Sequence, residues 1–532
     1  NGFIQQMSLE KWKQALNSNQ KKLKTRKLRN NILISHKKMM EVEKEGNIKT
    51  YFTSCEDCAG IGKKTRKISK KARLQYQISL EKYSTSTSNQ IVPTPPIGQK
   101  YSCKTCNGTG ILTSENEIQP DTENLPHVAI IGGGIGGTAL AVACLHRKIP
   151  FTLFERDNTV NDRSQGYGLT LQQASKTIEA FGINNLKDAI ISSKHIVHTT
   201  DGKIIGEWGL RKWLPNNSKS NTSSEENSKR KNIHIPRQSL RMQLLNQLTD
   251  SNSVKWGHQL TSINELENNE INLTFQVNGE LKKFKTNLLV GADGIRSSVR
   301  KQVINEQDYP LRYLGCIVIL GICSLENLQN LESDLLDSET VFQTANGNER
   351  IYMMPFTKNS IMWQLSFPMT EEDAKELSSK GTKALKEEAA KKTQWHSPIP
   401  QIIAATNETE ISGYPVYDRQ TLQTEQLKNA KNITLIGDAA HPMSPFKGQG
   451  ANQALLDAIS LARKIHIGCK NSTSWKTKGL RDSILSDYET EMVHRSATKV
   501  KDSAAAAEYL HSEIVLNVGN ETRGSRNKKN SL

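Results

Sequence analysis

The chain changes its pattern at His127. Upstream, residues 8–45 mix Lys and Arg with Leu and Ile and contain no proline, which predicts a basic helix; residues 63–83 predict a second Lys/Arg-rich helical stretch. From His127 onward, strand–turn–helix units take over. VAIIGGGIGGTALAVACL (128–145) carries no charge across 18 positions, long enough to suggest a membrane span. Five of those positions are glycines, however, and the run sits where a strand turns tightly into a helix, so it predicts a buried βα turn. Alternating patterns predict strands over 271–290. LGCIVILGIC (314–323) and SIMWQLSF (360–367) predict buried strands, and helices dominate after residue 450. Polar punctuation separates these parts: TSTSNQIVPTPPIGQ (85–99) is a Ser/Pro spacer, SENEIQPDTENLP (114–126) a linker, and NNSKSNTSSEENSKRKN (216–232) a surface insertion.

With 532 residues the chain is long enough for two or three domains. Its formal net charge of +17 is unevenly distributed. Residues 1–120 hold 22 Lys+Arg against 9 Asp+Glu, while the remainder holds 49 against 45. The basic excess therefore belongs to the N-terminal segment. Such a segment suits an acidic, membrane-surface or nucleic-acid partner, but a solvated arm explains the charge better, since no nucleic-acid motif accompanies it. The eight cysteines do not make a secreted disulfide framework, so an intracellular, reducing compartment is expected, cytoplasm or organelle being left open. The first residue is Asn1, so a targeting peptide is neither read nor excluded.

Four of the cysteines form a repeat. SCEDCAGIG (54–62) and SCKTCNGTG (102–110) share C-x-x-C-x-G-x-G. Each C-x-x-C turn brings two thiolates to one ion, and the following glycines aim amides at the sulfurs. Cys55, Cys58, Cys103 and Cys106 thus suffice for one structural zinc, a redox-active dithiol being the alternative. The 44-residue loop between Cys58 and Cys103 is no obstacle. Lengthening a loop from ~17 residues to this size costs roughly 0.8 kcal/mol, against about 10–16 kcal/mol from a structural zinc. The two stretches resemble the cysteine-rich zinc region of DnaJ-type chaperones. That family carries four repeats and a His-Pro-Asp J-domain motif; here there are two repeats and no such motif, so no chaperone activity is implied.

The chemistry lies further on. Gly132, Gly134 and Gly137 make G-x-G-x-x-G between a strand and a helix: the first for a tight turn, the second for close approach of a pyrophosphate, the third for helix–strand packing. Glu155 follows the next strand, where a carboxylate can accept ribose hydroxyls. LLVGADGIRSSVR (288–300) ends a strand in Asp293-Gly294, and NITLIGDAAHPMSPFKGQGANQALLDA (432–458) ends one in Gly437-Asp438 before a helix opening near Gly450. That helix N-terminus would face an anion in the cleft. The two Asp residues could also simply cap helices.

These three motifs in this order resemble the single-component FAD-dependent aromatic hydroxylases (p-hydroxybenzoate hydroxylase-like monooxygenases), over about 127 to 515. The resemblance implies an α/β fold: a Rossmann-like FAD-binding domain with an interleaved β-sheet substrate domain, here preceded by a small basic zinc-knuckle region. Its domain map is 1–113 (basic region and knuckles), 114–126 (linker), 127–305 (first FAD part), 306–424 (mainly substrate sheet), 425–515 (second FAD part and helices) and 516–532 (tail). It further implies that Glu155 and Arg156 lie at the adenosine ribose, Asp293 near the pyrophosphate and the nicotinamide path, and Gly437-Asp438 at the ribityl chain. Pro445, Gly448 and Gly450 would form the flavin environment, and Arg237 would contact the cofactor. Arg163 and Gln165 either border the flavin or belong to a surface turn. His441 is expected to pack, and Trp208, Trp213 and Trp363 to lie in the core. The implied activity is NAD(P)H- and O2-dependent hydroxylation of a small aromatic or polycyclic substrate through a flavin C4a-hydroperoxide. The chain shows no G-x-S-x-G elbow, no H-E-x-x-H site and no second complete G-x-G-x-x-G, Gln453 standing where a third glycine would be. IMWQLSFP (361–368) lacks the second Trp of the halogenase motif. A reductase or dehydrogenase on the same scaffold, or a zinc- and flavin-bearing sensor using its basic N-terminus, remain the alternatives.

Overall fold

The computed structural model describes residues 50–85, 92–162, 166–209, 232–248, 252–307, 309–328, 331–470, 472–520 and 522. The basic helix expected over 8–45, the body of the polar insertion, Trp213, Arg163 and Gln165 lie outside the described residues. The chain forms two compact units. Thr50, Tyr51 and 113–116 are the described part of the first. Everything below belongs to the second, Phe52–Leu112 together with Glu117–Leu532. The knuckle pair is therefore part of the same unit as the α/β body, and the boundary drawn at residue 113 does not coincide with this division.

Between the knuckles a strand, Lys63–Thr65, pairs antiparallel with Lys100–Ser102, and helix α1 (Lys70–Thr85) is shorter than the stretch 63–83 suggested. The α/β body begins with β1 (Val128–Ile131), α2 (Ile135–Leu145) and β2 (Phe151–Phe154). Strands β3 (Gly168–Leu171), β4 (Lys194–His198), β5 (Ile204–Trp208) and β6 (Ile233–Pro236) follow, then α3 (Arg237–Leu245), β7 (Val254–Lys255), β8 (Leu288–Gly291) and α4 (Ser298–Val303). The second half contains β9 (Arg312–Ser324), β10 (Thr340–Ala345), β11 (Arg350–Thr357), β12 (Ser360–Pro368), β13 (Ile411–Asp418), β14 (Ile433–Leu435), α5 (Gly450–Lys470) and α6 (Ser486–Leu510).

Five strands form one sheet in the order β7-β2-β1-β8-β14, with parallel pairing throughout. VAII, FTLF, LLVG and ITL are buried along their whole length, as strands covered on both faces must be. Helix α2 is likewise buried from Ile135 to Cys144, which explains its lack of charge: it is a core helix, 11 residues long. No helix among the described residues is long and apolar enough to cross a membrane.

A seven-stranded sheet of order β5-β4-β10-β11-β12-β9-β13 forms the second layer. Strands β4 and β5 come from before residue 305, so the sheet takes strands from both sides of the boundary expected at 305/306. Its two faces have different duties. Ile317, Ile319, Phe342, Ile351, Trp363 and Leu365 pack with Leu385, Ile402 and Ile403 in a core. The alternate positions, Val318, Leu320, Val341, Met354, Met362 and Val416, form a separate cluster on the other face.

Candidate functional site

The glycine turn after β1 is built as the spacing predicts. Gly132 has φ +105°, and a Cβ there would stand 2.5 Å from Ala292 O. A Cβ on Gly137 would stand 1.9 Å from Gly132 O, so helix and strand meet only with glycine. Gly134 differs: its nearest neighbour would be Arg237 Nη2 at 3.6 Å, leaving open space above the backbone that opens α2. Arg237 begins α3 and lies over the Tyr167 ring at 5.9 Å. Four residues on, the buried Arg241 donates from Nε to Gly133 O (2.6 Å) and from Nη1 to Val160 O (3.2 Å). The sequence reading missed Arg241; its i+4 spacing from Arg237 was the available signal.

Glu155 follows β2 and turns back on the same loop, accepting from Gly133 N (2.6 Å) and Asp157 N (3.1 Å). Arg156 beside it is exposed. Asp293 packs its Cα against the Gly132 turn, while its carboxylate accepts from Ser297 Oγ, Ser298 N (2.7 Å) and Val299 N (3.3 Å), capping α4. It does not line the cavity described next.

That cavity, about 720 Å³, lies between the inner face of the seven-stranded sheet and the start of α5. Asp438, Pro445, Gly448 and Gly450 line it. Asp438 is exposed at the mouth of this open cleft; the surrounding protein raises its pKa by desolvation, and His441 and Arg237 pull it down. Gly437 N donates to Asp457 Oδ2 (2.8 Å), which also holds His441 Nε2 (2.6 Å), while Asp457 Oδ1 accepts from Arg495 Nη2 (2.7 Å). Burial alone would raise Asp457, but His441 and Arg495 outweigh it and hold the carboxylate below its ordinary range. His441 is thus a buried packing and hydrogen-bonding residue, as expected. Asn452 on α5 accepts from Gln172 N (2.8 Å) and donates to Thr170 O and Gly448 O (both 2.9 Å), tying β3 to the turn before the helix.

The opposite wall is the sheet. Gln343, Tyr352 and Gln364 face each other in register across β10, β11 and β12. Arg350 is buried at 5% exposure, donates from Nε to Gln343 Oε1 (2.9 Å) and lies 5.0 Å from the Tyr352 ring centroid. It forms no ion pair among the described residues; burial lowers its pKa to about 10, so it stays charged at neutral pH. Burial raises the Tyr352 phenol to about 12. On a third wall, hydrogen bonds link Thr170, His234, Ser192 and His195 in sequence, and His195 stacks on Trp208 at 5.4 Å. Trp208 therefore lines the cavity, contrary to the expectation of a core residue, because β5 is the sheet's edge strand. Trp363 is core, with Nε1 donating to Thr406 Oγ1 (2.9 Å).

The knuckle cysteines converge in a near-twofold arrangement. Cys55 N donates to Gly110 O and Cys103 N to Gly62 O, both at 2.9 Å. Gly62 N and Gly110 N each lie 3.2 Å from a sulfur, Cys58 Sγ and Cys106 Sγ. Cys55 and Cys103 sulfurs are 4.0 Å apart, Cys58 and Cys106 sulfurs 3.7 Å, and all four lie within 4.8 Å of one another. Tetrahedral zinc with bonds of about 2.3 Å requires sulfur–sulfur edges of roughly 3.8 Å, so the donor set fits.

Residues 126–499 match the family model described as FAD binding domain. An aurachin C monooxygenase/isomerase of Stigmatella aurantiaca is 28% identical over 336 residues, 63% of this chain and 79% of the relative. A 3-amino-4-hydroxybenzoate 2-monooxygenase of Streptomyces platensis is 26% identical over 341 residues, 63% of this chain and 78% of the relative. Among solved structures, Klebsiella pneumoniae HpxO complexed with FAD and uric acid is similar with a TM-score of 0.56 at 18% identity, covering 72% of this chain and 88% of HpxO. The knuckle pair lies outside the family match.

Proposed function

Because this chain belongs to the FAD binding domain family, we propose that it works as an FAD-dependent monooxygenase that uses NAD(P)H and O2 to hydroxylate a small aromatic or polycyclic substrate. One observation carries the reading: a single cavity is lined both by the turn Pro445–Gly450 and by the sheet face bearing Arg350, Tyr352 and Gln364. When bound, FAD supplies the redox and oxygen-activating chemistry. The chain's own residues bind, orient and exclude water. The open backbone at Gly134, flanked by Arg237, suits a pyrophosphate, and Glu155 suits the adenosine ribose. Asp438 suits a hydroxyl of the ribityl chain, and the N-terminus of the 21-residue α5 favours negative charge on the ring system. The carboxylate of Asp293 serves α4, so its contribution to the cofactor is to shape the Gly132 turn.

The Arg350 guanidinium at the far wall, without an ion-pair partner among the described residues, favours a substrate with an oxygen-rich or anionic end, oriented with its ring toward Pro445. The same reading gives Cys55, Cys58, Cys103 and Cys106 one structural zinc, supported by the donor set and its spacing. The basic excess of residues 1–120 leaves an acidic, membrane-surface or nucleic-acid partner as a proposal on charge alone.

The test is to record the flavin spectrum of the purified chain and follow NAD(P)H oxidation, O2 uptake and peroxide release with phenolic and polycyclic compounds. One compound that accelerates NAD(P)H oxidation and gains oxygen establishes the activity. FAD that neither NADH nor NADPH reduces in the presence of any compound defeats it in favour of a dehydrogenase or sensor.

A further inference from the structure

Two of the helices that begin at the cofactor cleft also hold the knuckle. α2 starts at the glycine loop, and just past its end Arg147 donates from Nη2 to Gly60 O (3.1 Å) and from Nη1 to Ala143 O (3.0 Å). α5 starts at the Gly448–Gly450 turn, and Arg463 on it donates from Nε to the same Gly60 O (3.0 Å) and from Nη2 to Thr109 O (3.5 Å). Gly60 lies two residues past Cys58 and Thr109 three residues past Cys106. Phe52 completes the contact, its ring 5.4 Å from His146 and so close to Gly182 that a Cβ there would stand 2.5 Å from Phe52 Cε2.

Two guanidinium groups on one carbonyl repel each other and need negative charge nearby. Arg147 is wholly buried. Among the described residues neither arginine has a carboxylate ion-pair partner, and the carbonyl they share belongs to the turn that follows Cys58. Four neutral thiols would leave one buried and one half-buried cation without a counter-charge among the described residues, whereas a divalent metal on four thiolates carries a net charge of −2 that matches them.

We propose that Arg147 and Arg463 are the counter-cations of the metal–thiolate site, and that through them metal occupancy and FAD binding are coupled along α2 and α5. The proposal rests on the zinc and FAD readings above. Each helix carries the link over roughly 16–20 Å, from the knuckle to the residues that open on the cofactor. Loss of the metal removes the charge that seats the end of α2 and the Arg463 turn of α5, and by linkage FAD and metal each strengthen the other's binding.

The test uses the full-length chain loaded with Zn2+ and FAD. Zn2+ is withdrawn with a chelator, and FAD affinity is read from flavin fluorescence. About fivefold or weaker FAD binding after Zn2+ removal is expected, together with slower Zn2+ release when FAD is bound. Arg147→Met and Arg463→Met should both speed Zn2+ release and shrink its dependence on FAD, while Arg463→Lys, which keeps the charge, retains most of it. If Arg147→Met does not fold, the half-buried Arg463 carries the comparison alone. Protein that holds no Zn2+ and takes none up defeats the zinc reading beneath the proposal. Protein that holds Zn2+ yet binds FAD equally well without it overturns the coupling, as does Zn2+ release unchanged in the folded arginine variants.

Discussion

Asp457 and His441 meet at 2.6 Å in the core beneath the cleft, and the carboxylate oxygen they share also takes the N–H of Gly437. This buried pair therefore sets the backbone of the turn that presents Asp438, with Arg495 supplying the compensating charge. Asp457→Ala leaves Arg495 and the Gly437 N–H without their acceptor. We expect a loss of about 3–5 kcal/mol and weakened FAD retention. Thermal unfolding of apo and FAD-loaded protein checks this; a variant melting like the wild type in both forms would show that the pair does not support the turn.

If Gly134 meets the cofactor, Gly134 and Gly137 should separate cofactor contact from packing. Gly137→Ala forces a Cβ to within 1.9 Å of Gly132 O and should lower the melting temperature of the apo protein sharply. Gly134→Ala has room in the empty loop, so apo stability should change by less than about 1 kcal/mol while FAD affinity falls. Parallel melting curves and FAD titrations decide. Equal apo destabilisation by both substitutions would contradict the assignment.

Acid should unfold the protein early. Burial holds seven histidines low: His127, His195, His198, His466 and His511 at about 4, His146 and His234 at about 3. Unfolded imidazole titrates near 6.5, so below that pH the unfolded chain binds protons first. The stability these groups contribute is complete above about pH 6.5 and is lost as pH falls toward 4, at about 1.4 kcal/mol per pH unit for each histidine. Melting temperature against pH should bend downward below 6.5; a flat profile to pH 4.5 would refute it.

Arg350→Gln removes the cation from the sheet wall but keeps a group able to bond Gln343. With a substrate identified, kcat/KM should fall about tenfold or more for compounds with a carboxylate or enolate end and change little for their neutral amides. Loss of equal size for both compound types would mean that Arg350 supports the sheet and does not select substrate.

The parts of this molecule that follow from local rules are legible in its sequence. The Gly132–Gly137 turn and the paired knuckles are set by backbone sterics and cysteine–glycine spacing within a dozen residues, and the parallel strands by unbroken apolar runs. What escapes is set by distant pairing. Arg241 and Asn452 read as ordinary helix residues until α3 and α5 bring them to Gly133 and Gln172. Arg350 looks like one more surface charge, because only the register of β10, β11 and β12 turns it inward beside Gln343 and Tyr352. Trp208 faces the cavity because its strand is an edge, a fact about sheet order and not about tryptophan. The seating of the knuckle on Arg147 and Arg463 joins segments some 87 and 403 residues apart.

The two-sided seven-stranded sheet divides the labour of its residues in a way that favours diversification. Positions 341, 343, 352, 354, 362 and 364 touch the cavity, while the neighbours 351, 353, 363 and 365 hold the core and Phe342 reaches both. A mutation at an odd step and one at an even step therefore answer to different selective pressures. A combinatorial library confined to the first set can redraw which molecules are accepted, without renegotiating either the redox centre or the scaffold.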